Sequence, residues 1–339
     1  MKSIDVIIGG QFGSEGKGKF VAYLALQKHY SFAVRSGGPN AGHTFYKNNQ
    51  KFVTRHIPCA VVDLNTKLYL APSALLNPPL LNAELQSLSA LQPYERLFID
   101  PNAGVIEKSH IEATNMSRAS TVQGVGAAQA EKALRKLGVA KESQQLKHYQ
   151  KADVVMEVNN AVNRGESGIL EGVQGCGLSL NNHWYPFCTS RDVYVTSIVS
   201  DCGASPRIIR DIYMVMRTYP IRFGGNSGPL AAPELSWEDI TQSSGSPYPL
   251  IEHSTVGNIT RRISEFSWEE AKRATLINRP TKICLSFVDY INNRDYAVSK
   301  FTNLSRKTRD FVDRLENELQ VPVCLISTGP LDTHIINRE

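Results

Sequence analysis

The stretch IDVIIGGQFGSEGKGKF, residues 4–20, decides how the chain is read. Ile4–Ile8 is a short apolar run, too brief for a helix and bounded by glycines, so it reads as a buried strand. The glycines that follow form a turn, and Lys19 opens a segment with helical spacing. From Gly13 the order is G-x-x-x-x-G-K, the skeleton of a phosphate loop. Glycines let successive backbone N–H groups converge on phosphate oxygens, and a helix N-terminus behind them adds about half a positive charge. Lys17 and Lys19 supply point charges. A phosphate loop ordinarily ends in Ser or Thr, whose hydroxyl holds magnesium; Phe20 stands there instead. A metal at this loop must find its oxygens elsewhere.

Outward from this stretch, short apolar runs recur at Phe32–Val34, Lys67–Leu70, Leu97–Ile99, Ile169–Leu170, Tyr213–Tyr219, Ile283–Phe287 and Val323–Ile326. Several are apolar on both faces, as strands are when helices cover both sides of a parallel sheet. Helical spacing is read over Lys19–His29, Leu146–Asn163, Trp268–Asn278 and Leu304–Leu319. In the last, Leu304, Phe311, Val312, Leu315 and Leu319 form one stripe beneath a charged face. The expectation is an α/β fold, a single domain over residues 1–339 around a mostly parallel sheet with a phosphate-loop-like nucleotide site. Gly- and Ser-rich stretches at 36–44, 120–128, 222–233 and 242–260 read as loops at the sheet's edge.

A net charge of +5 over 339 residues suits small anionic ligands better than nucleic acid. With 42% hydrophobic and 20% charged residues, the composition excludes disordered and low-complexity classes. No run approaches the roughly 20 apolar residues that span a bilayer. The six cysteines, at 59, 176, 188, 202, 284 and 324, form no C-x-x-C pair, so scattered reduced thiols in a cytoplasmic protein are expected rather than zinc.

Two further loops carry chemistry. Residues 35–45 read RSGGPNAGHTF, with Asn40, His43 and Thr44 set among small neighbours; residues 170–178 read LEGVQGCGL, with Gln174 at the tip. At these residues the chain resembles the adenylosuccinate synthetase family. The family's G-Q-W-G-D-E-G-K-G-K appears as Gly10–Lys19 with Phe12 and Ser14 substituted, and its G-G-x-N-A-G-H-T appears intact at Gly37–Thr44. Further matches run in family order through Glu171–Gly175, Tyr185–Ser190, Thr255–Arg262 and Ile326–Pro330.

The resemblance implies a ligase. The 6-oxo group of a purine monophosphate is phosphorylated by a nucleoside triphosphate, and the aspartate amine then displaces phosphate. It assigns Ser14, His43 and Lys19 to catalysis, His43 by hydrogen bonding to the triphosphate and the 6-oxygen. Gly13, Ser14, Glu15, Gly16, Lys17, Gly18 and Lys19, with Gly42, His43, Thr44, Asp289, Ser327 and Gly329, are implied to hold the triphosphate. Asn40, Thr121, Gln174 and Thr189 match residues that bind the monophosphate with Ser14. Arg135 matches an arginine that reaches its 5′-phosphate from a partner subunit, which implies a homodimer; a solvated helix arginine is the plainer reading. Thr255, Val256, Arg261 and Arg262 fall in the aspartate loop. The implied cofactor is Mg²⁺, held by the Gly42 carbonyl and by Ser14.

Three departures bear on the substrate. Ser14 replaces an aspartate that takes the purine N1 proton and ligates magnesium; a hydroxyl does both poorly. It leaves room beside N1 for a C2 amino group, and this substitution marks the bacteriophage 2-aminoadenylosuccinate synthetases, which the chain also resembles in length. The expected reaction is therefore ATP or dATP with dGMP and L-aspartate, giving 2-amino-2′-deoxy-N6-succinoadenylate, in a host cytoplasm if phage-encoded. The alternative is a compact adenylosuccinate synthetase using IMP and GTP. Phe287 stands where the family has a lysine that stacks on guanine; it is equally read as a core residue at a strand end. Gly257-Asn258-Ile259 replaces T-G-R, with one arginine lost. A binding module without ligase chemistry would lack His43, Arg261 and Arg262, and all three are present.

Overall fold

The computed structural model describes residues 3–114, 121–254 and 258–339. Its central strand, β1 (Ile4–Gly9), alternates between two cores. Ile7 packs into a cluster with Phe20, Leu24, Val61 and Leu68, while Ile4, Val6 and Ile8 pack with Leu170, Ile198, Met214 and Leu285 on the other face. Each of these β1 side chains is wholly buried, which contributes roughly 1.5–3 kcal/mol apiece. This two-sided burial is what makes the run apolar throughout.

Nine further strands extend the sheet. They are β2 (Phe32–Arg35), β3 (Lys67–Leu70), β4 (Leu97–Ile99), β5 (Gln150–Lys151), β6 (Gly168–Glu171), β7 (Ile209–Arg217), β8 (Lys282–Ser286), β9 (Val323–Ser327) and β10 (Ile335–Asn337). The spatial order is β10-β9-β8-β7-β1-β6-β2-β3-β4-β5, with every pairing parallel except β9 with β10. The eight runs read as strands from sequence are all strands. The α/β class is observed, with helices on both faces.

The chain moves outward from β1 in one direction through β2 to β5, then returns to place β6 beside β1, and continues the other way through β7 to β10. The direction of travel therefore reverses around β1. In parallel sheets the crevice beyond the strand ends at such a reversal is where ligands bind. The loops after β1 and β6 both open into it.

Helix α1 (Lys17–Lys28) follows the first loop. The expected helix over 146–163 is shorter than its pattern: Gln150–Lys151 pairs with β4 as an edge strand, and α3 (Val154–Asn163) begins only after Asp153, whose carboxylate accepts from Met156 N–H at 3.1 Å. Within the stretch 120–128 read as loop, α2 (Val125–Ala133) starts behind Gly124 at φ 72°. Two other loop stretches overlap elements only at an edge: His43–Lys47, which forms a hairpin with Gln50–Thr54, begins within 36–44, and the helix Trp237–Ser244 ends within 242–260. On the far face lie α4 (Val195–Asp201), α5 (Trp268–Asn278) and α6 (Arg306–Leu319). The α6 stripe is buried as expected at Val312, Leu315 and Leu319. None of the six cysteines is in a disulfide. Among the described residues no helix is long and apolar enough to cross a membrane.

Candidate functional site

The loop after β1 closes on its own carboxylate. Glu15 is fully buried; its Oε1 accepts from the N–H groups of Gln11 at 3.1 Å and Gly13 at 2.8 Å, and its Oε2 pairs with Lys17 Nζ at 2.6 Å. Glycine is required on either side of it, since a Cβ at Gly175 would stand 2.2 Å from Oε1 and one at Gly9 2.6 Å from Oε2. The Glu15 side chain therefore shapes the loop from inside, which leaves its backbone amide as the group available to a triphosphate. Gly16, at φ 91°, is the N-cap of α1 without a capping side chain, so the first amides of the helix are left for an anion. Gly18 has a packing role: a Cβ there would lie 2.9 Å from His43 Cβ and 3.0 Å from Cys59 Sγ.

Beyond this loop opens a cleft of about 680 Å³. It brings together Gly13, Ser14, Lys17, Asn40, Gly42, His43, Thr121, Gln174, Thr189 and Arg261 from six separate segments of sequence. Two amide oxygens in it, Asn40 Oδ1 and Gln174 Oε1, are buried without a protein partner. Unpaired buried acceptors are costly, about 1–3 kcal/mol each, and call for a donor from a ligand. The amides of Gly124–Ala127 at the start of α2 line the same wall.

His43 starts a hairpin strand and is nearly buried. Its Nδ1 lies 2.5 Å from Glu171 Oε1, at the end of β6. Glu171 also accepts from Arg35 Nη1 at 2.8 Å and from the Cys59 N–H at 2.6 Å. Burial alone would raise the Glu171 pKa, but Arg35, His43 and the Cys59 amide together hold it below the usual carboxylate value. His43 is the reverse case: burial, then the nearby Arg35 and Lys17 charges, bring it down to about 4 against the pull of Glu171. At neutral pH the ring is uncharged, with its Nδ1–H donating to Glu171. His43, Cys59 and Glu171 lie close enough to hold a metal, yet the carboxylate is already satisfied by three donors.

Ser14 takes the left-handed conformation at φ 58°, a state that costs an L-residue roughly 1–2 kcal/mol. Its hydroxyl lines the cleft and accepts from Arg261 Nη1, while its carbonyl accepts from Arg217 Nη1 at 3.3 Å. Arg261 also donates through Nε to the His253 carbonyl at 3.2 Å.

Several expected contacts fall outside the cleft. Lys19 spends all three ammonium protons on protein, on Ser327 Oγ at 2.8 Å, Gly329 O at 2.6 Å and His334 O at 2.8 Å. Burial lowers its pKa to about 7, opposed by Asp289 and Asp332. Instead of reaching a phosphate, it ties α1 to the end of β9, so Ser327 and Gly329 are joined to it rather than to the cleft wall. Asp289 is nearby, raised to about 6 by burial. Arg262 is committed to Glu234 and to the Gly228 carbonyl at 2.7 Å, so it does not face the cleft with Arg261. Thr44 does not line the cleft either. Arg135 is exposed beyond the end of α2, at φ 62°. Thr255 and Val256 lie outside the described residues. Phe287 is half-buried and packs on protein: the Arg217 guanidinium sits over its ring at 3.9 Å, and Tyr290 lies against it in a T-shaped contact.

Sequence reasoning passed over Glu171, Arg35, Arg217 and Arg222. The signal was a charged residue at the end of an otherwise apolar strand, as in FAVR and GILE. Arg222 lines the cleft, almost wholly buried over the Phe12 ring at 4.1 Å, and burial with the Arg262 charge lowers its pKa to about 10.

The family model described as adenylosuccinate synthetase matches residues 6–150 and 138–296. Adenylosuccinate synthetase of Methanocaldococcus jannaschii is 36% identical over 96% of this chain and 94% of its own. That of Pyrococcus sp. (strain ST700) is 33% identical over 98% of both. Among solved structures, fully ligated adenylosuccinate synthetase of Plasmodium falciparum superposes with a TM-score of 0.86 over 100% of both chains at 18% identity, a likeness of fold. Cyanophage S-2L succinoaminodeoxyadenylate synthetase, bound to dGMP and to dATP as energy donor, superposes at 0.84 with 27% identity over 99% of this chain and 95% of that one. The chain belongs to the adenylosuccinate synthetase family, and it is a C–N bond-forming ligase that uses a nucleotide and aspartate.

Proposed function

We propose that this ligase joins L-aspartate to dGMP, driven by ATP or dATP, and yields 2-amino-2′-deoxy-N6-succinoadenylate. The observation that carries the choice of purine is Ser14 on the cleft wall. One hydroxyl lone pair is used by Arg261; the second is free to accept from an exocyclic amine. An aspartate at the same place would set a larger, charged group against the C2 substituent.

The chemistry has two steps. The purine N1 proton passes to a water beside Ser14 as the 6-oxygen attacks the γ-phosphorus, forming O6–P while the bond to the bridging oxygen breaks and the nucleoside diphosphate leaves. The aspartate nitrogen then attacks C6, the C6–O6 bond breaks, and phosphate departs as the amine loses a proton. Charge builds on phosphoryl and leaving oxygens in both steps. His43 faces the cleft at the entrance to the phosphate loop, with Nδ1 fixed by Glu171. Protonated at Nε2 as anionic phosphates approach, it donates to the developing charge. Lys17 and the free amides of α1 hold the phosphates, and Asn40, Gln174, Thr121, Thr189 and the α2 N-terminus hold the monophosphate. Arg261 serves the aspartate carboxylates, and Arg135 serves a monophosphate in a partner subunit of a homodimer.

Mg²⁺ neutralises triphosphate oxygens when bound. Among the described residues lining the cleft there is no Asp or Glu, so the available donors are neutral, the Gly42 carbonyl and Ser14. Such a set fits an ion that arrives on the triphosphate and keeps most of its oxygens from water and phosphate.

A second reading is specifically favoured by the archaeal relatives at 33–36% identity, which are adenylosuccinate synthetases: IMP as acceptor with GTP. The two are separated by phosphate release with dGMP and IMP offered in parallel. Turnover of dGMP with little of IMP supports the first; turnover confined to IMP overturns it.

A further inference from the structure

Ser14 and Phe287 are the two positions where the chain departs most pointedly from the family's nucleotide motifs, and one guanidinium joins them. Arg217, at the end of β7, is fully buried. Its Cζ lies over the Phe287 ring, 3.9 Å from the centroid. Its Nη1 donates to the Ser14 carbonyl at 3.3 Å and to Glu252 Oε2 at 3.2 Å, and its Nη2 donates to Glu252 Oε1. Gln11 pins the Arg217 backbone from the other side, accepting its N–H at 2.9 Å and donating to its carbonyl at 3.0 Å. Thr218 Oγ1 in turn donates to the Phe287 carbonyl at 2.6 Å.

We propose that Arg217, seated on Phe287 and clamped by Glu252, is a positioning residue for Ser14 and thereby sets which purine the cleft accepts. The left-handed Ser14 backbone is held only while its carbonyl has a donor on that side. Arg261 donates to the hydroxyl, so both the carbonyl and the hydroxyl of the residue are held. An aromatic ring supports a flat guanidinium, as an aliphatic or ammonium side chain does not. In this arrangement Phe287 acts on the monophosphate through Arg217 and Ser14, rather than on the base of the triphosphate.

The inference rests on reading Ser14 as the wall beside the purine C2, and the test separates the two. Phe287→Leu and Phe287→Tyr are assayed with dGMP and IMP, recording kcat and KM for each substrate. In Phe287→Leu the ratio of kcat/KM between the two purines shifts by roughly tenfold, as expected for one lost cation–π contact, with the KM for triphosphate nearly unchanged. Phe287→Tyr keeps the ring and keeps the ratio. An equal loss for both purines overturns the proposal, as does a raised triphosphate KM without a change in ratio, which places Phe287 against the triphosphate base. Arg217→Lys, which retains a charge for Glu252 but not the flat stack, is read in the same way should Phe287→Leu not fold. If the unsubstituted protein prefers IMP, the reading of Ser14 fails, while a shifted ratio in Phe287→Leu still supports Arg217.

Discussion

The imidazole Nδ1 of His43 stands 2.5 Å from Oε1 of Glu171, so the tautomer and tilt of the ring are set by a carboxylate rather than by substrate. The carboxylate is itself fixed by Arg35 and the Cys59 amide. Glu171→Gln keeps the shape and removes the charge. Turnover falls by a factor on the order of 10²–10⁴, the range of a misoriented acid–base group, with nucleotide KM little changed. Arg35 is left buried without its anion, which costs about 3–5 kcal/mol of stability. Steady-state kinetics beside urea denaturation checks both; full turnover in the variant removes Glu171 from the mechanism.

Nucleotide binding recharges His43. Its pKa is about 4, because it is buried beside Arg35 and Lys17. A triphosphate reverses the sign of its surroundings, so binding near neutral pH takes up part of a proton. Calorimetry in buffers of different ionisation enthalpy reads that uptake, and it is absent in His43→Asn. The same shift predicts acid lability. A histidine kept neutral when folded and titrating near 6.5 when unfolded gives full stability above about 6.5, lost as pH falls towards 4. Asp289, raised to about 6 by burial, acts with the opposite sign between its unfolded value and 6. The difference between wild type and His43→Asn isolates the histidine; identical acid profiles contradict its assignment.

The sequence was legible where one physical demand acted alone. Strands buried on both faces have to be apolar, so Ile4–Ile8 and its seven companions could be read directly, and α6 showed its stripe. The hairpin from His43 was less legible, although Asn48 and Asn49, both at positive φ, form the two-residue turn such a hairpin needs. Glycine-rich loops announced the cleft but not the direction of its side chains. Glu15, Lys19 and Arg262 carry charges suited to ligands, and the fold spends each of them on protein. Lys19 and its partner Ser327 lie some three hundred residues apart, and no spacing rule connects them. The Glu171–Arg35 pair follows from adjacent strands in register, which is fixed only once β6 is inserted beside β2.

Ser14 separates backbone from side-chain effects. Its φ of 58° suits glycine without strain, so Ser14→Gly keeps the loop and deletes only the hydroxyl held by Arg261. Discrimination between dGMP and IMP falls by roughly 1–2 kcal/mol, the value of one lost hydrogen bond, with the fold intact. Ser14→Asp restores the acid, lowers turnover with dGMP and raises it with IMP. Parallel kinetics on the two variants checks this. Unchanged dGMP kinetics in Ser14→Asp would falsify the steric reading.

The absence of any Asp or Glu among the described residues of the cleft wall makes a prediction about the metal that does not depend on the purine. Neutral oxygens hold Mg²⁺ weakly, and the ion gives up its water reluctantly. Millimolar Mg²⁺ alone therefore leaves the melting temperature of the protein unchanged. With a non-hydrolysable triphosphate the same concentration stabilises it, by about 2.7 kcal/mol once ligand exceeds Kd a hundredfold. Ser14→Asp places a carboxylate beside the phosphate loop and supplies the missing charge. That variant responds to Mg²⁺ without nucleotide, and the difference between the two proteins in a thermal shift series is the measurement. A strong response of the unsubstituted, nucleotide-free protein would show that a resident metal site exists elsewhere, and the delivery of the ion by triphosphate would have to be abandoned.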